Sequence, residues 1–286
     1  MKRPAPAALS DRLPPQALFV LGALSQYVGA ALAVLLFAKV PAAGVAWLRV
    51  VASAGVLVAW RRPLRAPWTA PQLRLVAAFG LTLATMNVAF YLAIDRLPLG
   101  TAVAIEFCGP IAVAALGSRT RRDVLALACA TLGVVALADV HLAGSPGGLA
   151  LAVAAGVAWA GYIMLGHRIA ADASIRPQDG LALGMSIGAL GFAPLLLTSA
   201  VPAIVSPLLL GACLAVGIAS SVVPYALEQV AMRRLSRPRF ALLLALLPAT
   251  ATVVGGVLLG QIPGPLEATG IGLVVLASVL RSHDSP

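Results

Sequence analysis

Along this chain apolar residues come in long unbroken runs, not in alternation and not as a narrow stripe of helical period. The runs fall at 17–37, 42–60, 73–94, 99–117, 123–141, 148–169, 180–200, 208–231, 239–259 and 264–281. Each is close to the ~20 residues an α-helix needs to cross a bilayer's hydrocarbon core. A helix that is apolar on every side has no face to offer water, so lipid is its natural solvent. The pattern predicts an all-α polytopic membrane protein with ten transmembrane helices and residues 1–16 as a cytoplasmic N-terminal tail. The first run is too long for a signal-peptide core and lacks a convincing cleavage site, so it reads as a retained helix.

Composition agrees with lipid as the solvent. The chain has 286 residues, 60% of them hydrophobic and 10% charged, with a mean hydropathy of +0.98. Its net charge of +10 raises nucleic acid as a partner. The basic residues, however, sit in short clusters between apolar runs and form no basic domain, which excludes that reading. Their placement instead gives an orientation. Lys2, Arg3 and Arg12, then Arg61, Arg62, Arg65 and Arg74, Arg119, Arg121 and Arg122, Arg168 and Arg176, Arg233, Arg234, Arg237 and Arg239, and Arg281 all fall on one side. These are 17 of the 20 basic residues, against Lys39 and Arg96 in the loops of the other side and Arg49 inside a helix. The positive-inside rule then places both termini in the cytoplasm.

A weak repeat runs through the pattern. At an offset of 138, Ala93, Arg96, Leu97, Pro110 and Gly117 recur as Ala231, Arg234, Leu235, Pro248 and Gly255. Both sets straddle the junction between the third and fourth helices of a five-helix half. Five is odd, so the halves 17–141 and 148–281 would enter the membrane in opposite senses, as two inverted repeats. A substrate site then belongs at their interface, near the midplane.

The stretch with most chemistry is NVAFYLAIDRLPLGTAVAIEFCGP, residues 87–110. Glu106 lies seven residues into its helix, ~10 Å deep at 1.5 Å per residue. It is the one acid placed well inside the membrane. Pro110 has no N–H for the carbonyl four residues back, which is that of Glu106 itself. A carboxylate and a freed carbonyl would thus coincide, an arrangement tolerated mainly where a cavity needs it. Either Glu106 serves a substrate and a coupling proton, or it partners a neighbouring helix. Arg49 lies about as deep in the second helix. It either faces the bundle interior or snorkels outward along its stem.

Asn87 and Tyr91, four apart, share a helical face. They line the same cavity or bond to neighbouring helices. Gln26, beside Ser25, is open in the same way. Glu228 stands near Arg233 and Arg234, as a site residue or as an interfacial ion pair. Pro224 and Pro248 break later helices as Pro110 breaks the fourth, and Pro248 frees the carbonyl of Leu244, the counterpart of Glu106. Trp159 and Tyr162 read as packing or interfacial anchors. The small-residue pairs Gly184/Gly188 and Gly256/Gly260 read as close helix approaches. Cys108, Cys129 and Cys213, inside apolar runs, and His141, His167 and His283, scattered near segment ends, show no ligand spacing. No metal or other cofactor is expected.

These residues resemble the EamA family of the drug/metabolite transporter superfamily, and within it the inner-membrane threonine/homoserine exporters. The resemblance covers nearly the whole chain and is sharpest over 87–119 and VPYALEQVAM (223–232). Arg49 in AWLRVV, the segment AWAGYIMLGHR (158–168) and Gln26 also match. It implies two inverted five-helix repeats and export of small amino acids from the bacterial inner membrane in exchange for protons. Three positions depart from the pattern. Leu247 stands where an acid usually precedes the second-half proline, Gln261 replaces another acid, and the first-helix lysine is absent, Lys39 falling later. Other small metabolites or drugs are the alternative cargo, and 5% aromatic content is low for a hydrophobic drug cavity. An intramembrane enzyme needs a nucleophile–base pair, paired aspartates or a metal cluster. The pattern supplies none, so enzymatic activity is not expected. Oligomeric state is not legible from the pattern.

Overall fold

Proline punctuates this fold. In the computed structural model, helix after helix opens on Pro within its first turn, where a missing N–H costs nothing. The structure describes residues 13–65, 67–116, 120–141, 145–235 and 243–282. Lys2, Arg3, Arg12, Gly117, Arg119, Arg237, Arg239 and His283 lie outside the described residues, as do the side chains of His141, Glu228, Arg233 and Arg281. Among the described residues the chain is helical, with no strand.

The helices are α1 (Pro15–Leu36), α2 (Ala42–Arg61), α3 (Ala70–Ile94), α4 (Leu99–Glu106), α5 (Cys108–Leu116), α6 (Arg121–His141), α7 (Pro146–Ala171), α8 (Pro177–Ile204), α9 (Pro207–Gly217), α10 (Val223–Arg234), α11 (Leu247–Leu259) and α12 (Pro265–Ser282). Among the described residues six segments are long and apolar enough to cross a membrane: α1, α2, α3, α7, α8 and the stretch Pro207–Leu227. The protein is therefore a multi-pass membrane protein. Local chemistry sets the ends. Thr69 and Gln72 form a reciprocal capping box on α3. The Ser206 hydroxyl accepts from the Leu209 amide at the start of α9.

Two predicted spans are not uniform helices. The run 99–117 is interrupted at Phe107, so that α4 ends on Glu106 and α5 begins on Cys108. The run 208–231 carries a π-helical turn, Ile218–Val222, immediately before Pro224. Where 239–259 predicts one helix, α11 starts only at Leu247, with Pro248 in its first turn. An interruption lies beside each of these prolines, whereas α8 runs on through Pro194 and Pro202.

Packing runs across the middle of the chain. Helix α2 packs on α8, α3 on both α7 and α8, α1 on α10 and α11, α4 and α5 on α7, α4 on α11, and α6 on α12. Glycines set the tightest crossings. A Cβ on Gly80 would fall 1.9 Å from the Gly184 carbonyl oxygen, and one on Gly188 2.5 Å from that of Gly80. Gly184 and Gly188 thus serve close approach of α8 to α3. The second pair behaves differently. Gly260 caps α11 in the left-handed conformation (φ 67°) and meets nothing within 4 Å. It ends a helix and does not join two.

Candidate functional site

A cavity opens among α1, α2, α3, α7, α8, the π-turn and α11. It has two adjoining chambers that share Gln26, Arg49, Met86, Asn87 and Trp159. The larger, about 220 Å3, runs from Arg49 past Ser53 to Leu57, Leu181 and Tyr225. The smaller, about 60 Å3, ends at Glu106.

The π-turn builds the cation's seat. One extra residue in the turn presents Ser220 and Ser221 to α2. Arg49 donates from Nε to the Ser221 hydroxyl (2.8 Å) and from Nη2 to the Ser220 carbonyl (3.1 Å). Its Cζ lies 5.0 Å from the centroid of the Tyr91 ring. The Ser53 hydroxyl donates to the Arg49 carbonyl (2.9 Å), and the Ser25 hydroxyl to the Ala219 carbonyl inside the π-turn (2.7 Å). Gly217 lets the two backbones meet, since a Cβ there would lie 3.0 Å from the Arg49 Cα. Arg49 therefore crosses to another helix and does not reach outward along its own. Arg49 also lines both chambers of the cavity.

Glu106 is 8% exposed. Its carboxylate forms no hydrogen bond or salt bridge with another described residue, although the Arg49 charge acts on it electrostatically. Among the described residues three other acids are buried: Asp123, Asp179 and Glu267. Each lies in the first turn of a helix, where the backbone amides favour an anion. Each also has a polar partner. Asp123 accepts from the Thr120 amide (2.8 Å), Asp179 pairs with Arg61 Nε (2.9 Å) and Glu267 accepts from the Thr101 hydroxyl. Glu106 differs from all three in having no such partner among the described residues.

The freed carbonyl of Glu106 does not join the carboxylate. It lies against α7, where a Cβ on Gly156 would sit 2.9 Å from it. A Cβ on Gly109 would in turn meet the Gly156 carbonyl oxygen at 1.9 Å. The interruption of α4 and α5 is therefore packed backbone to backbone on α7.

The sequence candidates separate into wall and support. Gln26, Arg49, Asn87 and Glu106 line the chambers. Asn87 Nδ2 donates to the Leu83 carbonyl of its own helix (2.8 Å). Tyr91 is fully buried behind Arg49, with its hydroxyl 3.4 Å from Ser220 Oγ. Pro224 borders the cavity directly, whereas Pro248 is buried next to Leu247, which does line it. Two aromatics expected as packing residues or interfacial anchors belong to the wall: Trp159 lines both chambers and Tyr162 the larger. Trp159 packs edge-on to Phe107 (4.9 Å between centroids), directly at the interruption. Ser220, Ser221 and Ser53 went unread in the sequence. The Ser-Ser pair three residues before Pro224 in an apolar run was the available signal.

At the opposite end of the bundle side chains tie α4 to the α11–α12 region. The Leu99 amide donates to Gln261 Oε1 (2.9 Å), and Thr101 bonds Glu267. A separate cavity of about 210 Å3 lies there, lined by Thr101, Gln261 and Glu267 among others.

Comparison with known proteins places this geometry among transporters. Residues 146–282 match the EamA-like transporter family. The threonine/homoserine exporter RhtA of Escherichia coli (strain K12) is 36% identical over 258 residues, covering 88% of this chain and 85% of that protein. The threonine/homoserine exporter RhtA of Salmonella typhimurium (strain LT2) is 36% identical over 261 residues, covering 89% and 84%. One solved crystal structure shares the fold with a TM-score of 0.58 at 19% identity, covering 94% of this chain and 98% of that one.

Proposed function

Because the chain belongs to the EamA-like transporter family, we propose that it is a secondary exporter of small amino acids of the threonine and homoserine kind. It works in the bacterial inner membrane by proton antiport with alternating access. One observation carries the reading. Arg49 and Glu106, a basic and an acidic side chain, border the same cavity and form no salt bridge with each other. A zwitterion fits such a site, with its carboxylate on the Arg49 guanidinium and its ammonium on Glu106. A carboxylate removed from water needs a cation, and a proton and a substrate ammonium compete for it. That competition is the physical basis of antiport. Gln26 and Asn87 then serve the polar parts of the substrate, and Tyr91 and Ser221 orient Arg49.

The shape of the cavity supports alternating access. It extends from Arg49 toward Leu57, Leu181 and Tyr225, on the side of Arg61 and Asp179. The Gln261 and Thr101–Glu267 contacts tie α4 to the α11–α12 region at the other end. With the arginine-rich side cytoplasmic, this is the inward-facing state. Two inverted halves, 17–141 and 148–281, are supported by the packing. The contacts come in matched sets: α3 on α7 with α1 on α10, and α3 on the π-bearing span's neighbour α8 with α9 on α2. A pseudo-two-fold exchange of halves produces such matching.

Glu106→Gln in proteoliposomes tests the reading. The amide keeps size and hydrogen bonding but cannot ionise. Export driven by a pH gradient should be lost, while exchange of threonine for threonine is retained or falls together with affinity. Full gradient-driven export by Glu106→Gln moves the proton site elsewhere, with Glu228 next. Leu247, on the wall where an acid is usual, favours a second reading in which other small amphipathic metabolites are carried. Counterflow with a panel of amino acids separates the two. The exporter names of its relatives point away from an enzyme.

A further inference from the structure

The arginine-rich end of the protein holds a second cleft, separate from the transport cavity. It measures about 470 Å3 and lies between the end of α2, the 3-10 turn Pro63–Arg65 and the α7–α8 connection. Its walls are braced. Trp68 Nε1 donates to the Pro63 carbonyl (2.9 Å) and holds the 3-10 turn. Gln72 Nε2 donates to Ser174 Oγ (2.7 Å), and Arg61 pairs with Asp179 (2.9 Å), so α2 and α3 are both tied to the opposite wall.

Charge in the cleft is unbalanced. Arg61, Arg62, Arg65 and Arg176 line it against one carboxylate, Asp179, which Arg61 already engages. The side chains of Arg62, Arg65 and Arg176 form no hydrogen bond or ion pair with another described residue. Asp172, in the α7–α8 connection, is occupied by the amide and hydroxyl of Ser174. Three guanidinium groups around one cleft repel each other unless an anion joins them.

The backbone provides an independent sign. Arg62 caps α2 in the left-handed conformation (φ 51°, ψ 52°), the one positive-φ non-glycine residue among the described residues. Glycine takes this conformation without steric cost and is the usual choice at such a cap. Arginine here bears that cost, as residues at ligand clamps often do. The cleft also sits at a telling depth. Trp60, next to Arg61, is 64% exposed, and Trp68 lines the cleft. Tryptophans collect at the level of lipid headgroups.

We propose that this cleft binds a phosphate-bearing anion, supplied by the headgroup of an anionic lipid of the phosphatidylglycerol kind. Guanidinium forks match phosphate oxygens in pairs, and basic pockets between membrane helices suit such headgroups. A free phosphate would use the same chemistry, so the test separates the two sources.

The full chain, purified in detergent, is titrated with short-chain phosphatidylglycerol and with short-chain phosphatidylcholine, and bound lipid is counted by native mass spectrometry. The cleft variant is Arg62→Gln/Arg65→Gln/Arg176→Gln, which leaves the Arg61–Asp179 brace in place. The control is Arg74→Gln/Arg121→Gln, two arginines from the same side outside the cleft. Wild type and control should bind one phosphatidylglycerol alike, and the cleft variant should bind it weaker by on the order of tenfold to hundredfold. Phosphatidylcholine should not compete. Arg65→Gln alone, at an exposed position, gives a smaller shift in the same direction and serves if the triple variant does not fold. Displacement of the lipid by inorganic phosphate would keep the anion site and overturn the lipid as its occupant. Equal binding by wild type and both cleft variants, or an equal loss in the control, would overturn the site.

Discussion

Replacing Arg49 by lysine keeps the charge and removes the geometry. The guanidinium holds the π-turn with two bonds, to Ser221 at 2.8 Å and to Ser220 at 3.1 Å, and Arg49 also lines the cavity. A lysine ammonium is one point on a flexible stem and cannot reach both acceptors and a substrate carboxylate together. At least one charged hydrogen bond is lost, worth about 1.5–3 kcal/mol. If that loss falls on substrate binding, the apparent substrate constant rises by roughly 10- to 150-fold. Counterflow of labelled threonine in proteoliposomes over a range of concentrations measures this constant. A thermal melt in detergent shows how much of the loss falls on the fold. Ser221→Ala removes only the acceptor of Nε and should shift the constant in the same direction by less. An unchanged constant in a well-folded Arg49→Lys protein would refute the assignment of Arg49 to the substrate. A Ser221→Ala protein that loses stability with no change in the constant would refute Ser221 as its positioning residue.

Gly109→Ala places a Cβ 1.9 Å from the Gly156 carbonyl oxygen, so α5 and α7 must part by roughly 1.5 Å to reach ordinary contact. Overpacking of this kind costs about 1–3 kcal/mol, and both the detergent melting temperature and transport should fall; an unshifted melt would mean that the crossing is looser than drawn. Orientation is tested with single cysteines at Gly147, which has open space around it, and at the exposed Arg121, in a cysteine-free background. An impermeant thiol reagent added outside should label position 147 and miss 121, and the reverse pattern would invert the topology.

The solvent, the helical class and most helix ends were legible in the sequence. The run 42–60 is α2 (Ala42–Arg61), and 123–141 is α6 (Arg121–His141). Run length against bilayer thickness sets these ends locally. The polar residues of the wall were legible for a similar reason: Arg49, Asn87 and Glu106 stand out because lipid makes polarity rare.

Which groups meet was decided by the tertiary structure alone. Arg49 and Ser221 are 172 residues apart, and no local period relates them. The extra residue of the π-turn, which turns Ser220 and Ser221 toward α2, depends on Gly217 meeting the Arg49 backbone. Trp159 reads as a packing residue or an anchor until α7 is packed on the interruption at Phe107. The backbone crossing of Gly109 on Gly156 likewise exists only once α5 and α7 are in contact. The physical reason is the solvent itself. In water an apolar stripe marks the buried face of a helix, but in lipid both faces are apolar, and the pattern that reveals the helices cannot say which way they turn.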